Sequence, residues 1–320
     1  MLICVSANPA IDRRLRIGSL ESGRVNRAFS ATPYPGGKAA HVALAARALG
    51  EEVTWVGFLG GAAGEECEAR LVGLGVEVTV VRTEAGTRVN LEVIEDDGTV
   101  TEILEPGGSV SDGEVERMLS LCRDVFAEHG PGSQVALSGS LPPGAPADLY
   151  AELTRIAHAH GCRVLLDASG EAMRRALASA PDLVKPNGDE AEPIAGRPVV
   201  DPEAAEEAAH RLIEAGARGV AVSLGAAGLV WRNGSRAGAL AAEPPRVEGR
   251  SAVGCGDATL AGFAVAYSRG LSDVETLRLA AACGTANCLA RAPGMIESDE
   301  VARLVPRVEV RPIALRQGQA

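Results

Sequence analysis

Short apolar runs recur along the chain between longer segments with helical spacing. They fall at residues 2–7, 53–57, 135–138, 164–167, 183–185 and 219–224. Runs of that length, alternating with helices, argue repeated β-α units on a mostly parallel sheet. The helical patterns lie at about 37–49, 65–74, 111–128, 146–160, 202–215, 256–268 and 272–290. Two stretches break the rhythm, 13–32 and 88–104, and the second alternates around an Asp97-Gly98 hairpin turn. They are predicted to pair into a small sheet beside the main one, suited to a lid over a cleft or to a dimer contact. With no internal repeat or linker, the 320 residues read as one domain carrying this attachment.

Hydrophobic residues make up 46% of the chain and aromatics only 3%. The core must therefore be filled by Ala, Val, Leu and Ile, as when helices cover both faces of a parallel sheet. The balance of 31 basic against 42 acidic residues, a net charge of −11, disfavours nucleic acid and anionic membranes as partners. Seven cysteines, at 4, 67, 122, 162, 255, 283 and 288, show neither C-x-x-C nor His-paired metal spacing. A reducing compartment suits them. The N-terminal segment lacks the basic and long apolar regions of a signal peptide, and no apolar run reaches membrane-spanning length, which gives a cytoplasmic expectation.

The strongest local signal for chemistry is 251–263, Ser-Ala-Val-Gly-Cys-Gly-Asp-Ala-Thr-Leu-Ala-Gly-Phe. Gly254 and Gly256 let successive backbone N–H groups aim at one point, and the start of a helix adds its partial positive charge. Such a loop can stabilise a migrating phosphoryl group, and Asp257 in the first turn can accept the proton of an attacking hydroxyl. Taken alone, Gly-Cys-Gly-Asp suits a simple turn with an acidic helix start better than an anion site. The other segments decide between them.

Those segments, in order, are Asn8-Pro-Ala-Ile-Asp12, Tyr34-Pro-Gly-Gly-Lys38, Thr87-Arg-Val-Asn90 and Leu137-Ser-Gly-Ser-Leu-Pro-Pro-Gly144. Val184-Lys-Pro-Asn-Gly-Asp-Glu190, Val222-Ser-Leu-Gly-Ala-Ala-Gly228, the Asp257 loop and Ala282-Cys-Gly-Thr-Ala-Asn287 complete the series. Together they resemble the ribokinase-like carbohydrate kinases, the phosphofructokinase B family. Within it they are most similar to the branch of 1-phosphofructokinase, tagatose-6-phosphate kinase and the minor 6-phosphofructokinase.

The resemblance implies a three-layer α/β/α domain with a β-sheet lid, ATP and Mg²⁺, a sugar phosphate substrate and a homodimer formed through the lid. It assigns catalysis to Asp257 with Gly254, Cys255 and Gly256, and sugar contacts to Asp12, Gly36 and Gly37. Arg24, Lys38, Arg88 and Ser140 become candidates for a phosphate already on the substrate, because Arg offers a bidentate fork and Lys a point charge. Each of these cations also suits a solvated surface position. Lys185, Asn187, Ser223, Leu224, Gly225, Gly228 and Asn287 fall to the nucleotide, and Asn187 with Glu190 to the metal and its waters. Asn187 equally suits a helix cap, and Asn287 a helix surface.

Two positions depart from the family pattern. Ala39-Ala40-His41-Val42 replaces Gly-Ile-Asn-Val, so His41 stands where the family has a sugar-binding amide. Cys255 replaces a common Ala, and a thiol at a helix start either gains thiolate character or acts as an inert small side chain.

A kinase of an unphosphorylated sugar or nucleoside remains open on the same chemistry, as does a catalytically silent sugar-binding or regulatory protein. A dinucleotide oxidoreductase is disfavoured: the first strand leads into Asn8-Pro-Ala, not Gly-x-Gly-x-x-Gly, and no Walker A Gly-Lys-Ser/Thr occurs.

Overall fold

The computed structural model describes residues 1–234, 238–249 and 251–313. The end of the expected domain, 314–320, lies outside the described residues. From the N-terminus come β1 (Leu2–Ser6), β2 (Ala10–Arg16), β3 (Ser30–Gly36) and α1 (Lys38–Ala48). They are followed by β4 (Val53–Leu59), α2 (Gly61–Gly73), β5 (Glu77–Arg82), β6 (Arg88–Ile94) and β7 (Val100–Ile103). Next are α3 (Asp112–His129), β8 (Gln134–Ser138), α4 (Leu149–Ala159), β9 (Arg163–Asp167), α5 (Gly170–Leu177) and β10 (Leu183–Val184). The last part holds α6 (Gly188–Ala195), α7 (Pro202–Glu214), β11 (Gly219–Ser223), β12 (Leu229–Asn233), β13 (Ala239–Glu243), α8 (Cys255–Ser268), α9 (Asp273–Leu289), α10 (Ser298–Leu304) and β14 (Glu309–Ile313).

Among the described residues the main sheet runs β14-β13-β12-β11-β10-β9-β8-β1-β4-β5. Its strands from β11 to β5 are mutually parallel, and β12, β13 and β14 pair antiparallel at one edge. Strand β1 shows how the two faces are filled. Leu2 and Cys4 join one apolar cluster, and Ile3 and Val5 the other, as the two-residue strand period requires. Both clusters are dominated by Ala, Val, Leu and Ile, as the aromatic-poor composition demands.

All the expected strands and helices form, with ends shifted by a few residues. The helix expected at 65–74 starts earlier, at Gly61, because Gly60 lies in extended backbone just ahead of it. The pattern missed strands β5, β12, β13 and β14 and three short helices: α5 and α6 have 8 residues each and α10 has 7, too few turns for a clear period.

The two irregular stretches do pair. The second sheet has the order β3-β2-β6-β7, with β2 antiparallel to β3 and parallel to β6. Its strands are shorter than the stretches expected: β2 starts at Ala10, and residues 17–29 lie outside any strand. Because β2 follows β1 after three residues, and β3 leads directly into α1, this lid is tethered over the C-terminal edge of the main sheet.

Candidate active site at the C-terminal edge of the sheet

Helices α1 and α8 begin side by side at that edge, where open α/β sheets bind ligands. Each starts from a glycine that a side chain would not suit: Gly37 has φ 86° and Gly254 φ 79°. At Gly254 a Cβ would also lie 2.7 Å from Pro293. Helix α8 packs closely on α9 because Gly262 and Gly284 carry no side chain. A Cβ there would stand 2.6 Å from Ala280 Cα and 2.4 Å from Thr259 Oγ1 respectively. This packing fixes where the first turn of α8, with Asp257, can lie.

Asp257 is buried, and its Oδ2 lies 2.8 Å from Nδ1 of His41, in the first turn of α1. Nε2 of the same ring is 3.3 Å from Asp12 Oδ2 on the lid strand β2. Asn90, opposite Asp12 on β6, donates to Asp12 Oδ1 at 2.8 Å. Gly36 makes room for this carboxylate, since a Cβ there would fall 2.3 Å from it. Burial pushes the Asp12 carboxyl up, but hydrogen bonds from His41 and Asn90, with the His41 and Arg88 charges, leave it below its usual range.

A second cluster adjoins the glycine loop. Asp167 ends β9 and is buried between two ammonium groups, Lys38 Nζ at 2.7 Å and Lys185 Nζ at 2.7 Å. Burial opposes its ionisation, but the Lys185 and Lys38 charges and hydrogen bonds outweigh this and bring the carboxyl down to about 2. For Lys38, burial favours the neutral amine, and the Asp167, Asp257 and Glu190 charges overcome it and hold the ammonium firmly protonated. Lys185 reaches the loop itself, since a Cβ on Gly256 would stand 3.1 Å from its Nζ. Two cations around one anion leave a net positive charge beside a helix N-terminus, which suits phosphate oxygens.

Asn187 caps α6, accepting from the Glu190 backbone N–H at 2.8 Å, while Glu190 accepts from the Asn187 N–H at 3.0 Å. The cap and the ligand-facing readings of Asn187 are thus compatible. The other Glu190 oxygen, Oε1, is 3.5 Å from Lys38 Nζ. Residue 187 also bridges to Ser223, so the turn of Ser223, Leu224 and Gly225 stands next to the Asn187 segment. Gly228 closes that turn against β13, where a Cβ would be 2.1 Å from Ala242 O.

Other expected residues are placed differently. Asn287 is neither on the helix surface nor free to meet a base: it is 3% exposed, donates to Val253 O at 2.7 Å and accepts from Gly294 N–H at 2.8 Å. It holds the glycine loop in shape. Arg88 donates to Asn8 O and Glu105 O, at 2.9 and 2.8 Å, fastening the lid while standing near Asp12. Ser140 is exposed and accepts from Asn8 Nδ2 at 3.1 Å. Arg24 is exposed in the β2–β3 connection and is not gathered into either cluster. The Cys255 thiol is not activated. Its bond with Cys288, Sγ to Sγ 3.0 Å, and burial raise it, whereas the same bond brings Cys288 down to about 7.

Asn90 and Asp167 were not singled out as site residues in the sequence. For Asp167 the available signal was a carboxylate closing an otherwise apolar strand; for Asn90 it was only the Thr-Arg-Val-Asn segment. A separate cavity of about 580 Å³ opens at the opposite end of the strands, near Gln134, His158, Asp182, Arg218 and Tyr267. It holds none of the glycine-loop chemistry.

A lidded α/β sheet with a carboxylate at a glycine-bracketed helix start defines the class: a sugar kinase of ribokinase-like architecture. Ribokinase of Arabidopsis thaliana, solved with ribose and ATP, shares the fold at a TM-score of 0.75 and 23% identity, covering 95% of this chain and 98% of its own. Residues 3–299 match the pfkB family of carbohydrate kinases. The 1-phosphofructokinase of Xanthomonas campestris pv. campestris is 36% identical over 309 residues, 95% of this chain and 93% of its own. Phosphofructokinase-2 of Escherichia coli in complex with fructose-6-phosphate matches with a TM-score of 0.86 at 27% identity, covering 96% and 98% of the two chains. The chain belongs to the pfkB family of carbohydrate kinases and is an enzyme that transfers phosphate to a sugar hydroxyl.

Proposed function

We propose that this chain transfers the terminal phosphoryl group of ATP to a hydroxyl of a phosphorylated ketohexose, fructose 1-phosphate being the first candidate, with Asp257 as base. The observation that carries this reading is the place of Asp257: first turn of α8, inside the glycine loop, linked through His41 to Asp12. Asp12 and Asn90 orient the sugar from the lid. The attacking hydroxyl oxygen bonds to phosphorus as its proton passes to the Asp257 carboxylate, and ADP leaves. Backbone N–H groups of Gly254 and Gly256, with the Lys38 and Lys185 ammonium groups, stabilise the charge that builds on the phosphoryl oxygens, while the Cys255 N–H closes the turn onto Ala252 O.

Glu190, with Asn187 beside it, fits a hydrated Mg²⁺ held largely by phosphates, since it offers one carboxylate and one amide rather than a cage. No cluster of three or more acidic, His or Cys ligands exists among the described residues. When bound, Mg²⁺ would neutralise phosphate charge and align the oxygens. The 1-phosphofructokinase relative and the fructose-6-phosphate complex of the structural neighbour support a phosphorylated substrate.

The test pairs a phosphate-transfer screen over fructose 1-phosphate, fructose 6-phosphate, tagatose 6-phosphate and free sugars with the Asp257→Asn variant. We expect kcat to fall by roughly two to four orders of magnitude with the fold intact. Near-wild-type turnover of that variant would remove Asp257 from its role.

A further inference from the structure

His41 was expected to touch the sugar, as the family's amide does. Its ring is 7% exposed, and each nitrogen is already in contact with a carboxylate oxygen, Nδ1 with Asp257 and Nε2 with Asp12. An ionised carboxylate only accepts, so for both nitrogens to donate the ring must carry both protons and a positive charge. An amide in the same place has no charge and could not do this.

We propose that His41 is a positioning residue whose imidazolium clamps Asp12 and Asp257 together, keeping both ionised in one buried pocket and setting the pH at which the base becomes active. The inference rests on the reading of Asp257 as base. Two buried carboxylates bridged by one side chain repel, and without a cation between them one ionises only at raised pH. With the imidazolium between them the trio carries a single negative charge instead of two. The clamp also joins the lid to the catalytic helix, because Asp12 belongs to β2 and Asp257 to α8.

The surroundings favour the charged ring. Facing this cluster are Asp12 from β2, Asp257 from α8, Arg88 from β6, Glu102 from β7, Cys67 from α2 and Lys38 on α1 itself. Burial lifts the Cys67 thiol to about 12, so it stays neutral. Burial alone would push His41 down; hydrogen bonds to Asp12 and Asp257 and their charges outweigh it and hold the ring up at about 10. The imidazolium therefore persists through the neutral range.

The experiment is the pH profile of kcat/KM for wild type, His41→Asn and Asp257→Asn, with MgATP and the sugar phosphate that the screen identifies. In His41→Asn the acid limb should move to higher pH by on the order of one unit, with KM for the sugar raised and KM for ATP little changed. An acid limb that stays in place overturns the proposal. If Asp257→Asn is inactive while the limb is unmoved, only the role of His41 falls; if Asp257→Asn is fully active, the reading of the base falls instead. Should His41→Asn fail to fold, nitrogen NMR of the wild-type imidazoles decides. At least one of the five histidines should remain doubly protonated at about pH 8, and titration of all five below that pH refutes the clamp.

Discussion

At the scale of single residues, the site works by pairing groups that would be costly alone. Asp167 is buried, yet two lysines more than compensate its charge; removing its carboxylate would leave two ammonium groups without their shared anion, the buried one on Lys185 at the greater cost. The thiol pair follows the same logic in reverse. Cys255 sits at the helix start, where a lowered thiol was one of two expectations, but its hydrogen bond with Cys288 and burial raise it, and the same contact lowers Cys288 instead. Alkylation with iodoacetamide near pH 7 should therefore label Cys288 before Cys255, as read by peptide mass spectrometry. Turnover should slow as the label accumulates, because the Cys288 Cβ already lies close to Gly249. Labelling of Cys255 first would show that the helix start governs the pair.

At the scale of elements, the position of the catalytic carboxylate depends on how closely α8 approaches α9. Gly284 is one of two close approaches, with Gly262, and an added methyl there would meet Thr259 Oγ1 at 2.4 Å and Cys255 O at 3.2 Å. Gly284→Ala should gain helix propensity of about 1 kcal/mol but lose more to overpacking, roughly 1–3 kcal/mol or above. The net expectation is a melting temperature lowered by a few degrees together with reduced kcat, since the displaced segment includes Cys255. A variant of unchanged stability and turnover would mean that the two helices can separate without moving the loop. A similar dependence on neighbours explains Asn287. Its place on α9 was evident in the sequence, but its partners, Val253 and Gly294, belong to segments that meet it only in the folded chain.

At the scale of the molecule, the lid presents apolar surface that the single chain leaves uncovered. Val25 is 82% exposed and Phe29 72%, and Ile103 and Leu104 are also exposed. Four apolar side chains on one small sheet and its connection are more than scattered surface residues, and a second lid would cover them. The dimer proposed through the lid predicts that Phe29→Glu shifts the protein toward monomer in light scattering after size-exclusion chromatography. Unchanged mass at low micromolar concentration would place the interface elsewhere. No described helix is long and apolar enough to cross a membrane.

The sequence by itself determined the alternation of strands and helices, the parallel sheet, the lid stretches and the glycine loop with Asp257. These are local: periodicity, turn chemistry and glycine placement act over a few residues, so they can be read along the chain. The tertiary structure alone decided which charges meet. That His41 lies between Asp12 and Asp257, that Asp167 lies between Lys38 and Lys185, and that Asn287 holds the glycine loop all depend on contacts made only in the folded chain, the longest between residues 216 positions apart. A side chain's chemistry is set by what the fold brings against it. The residue type in the sequence states only what it is able to do there.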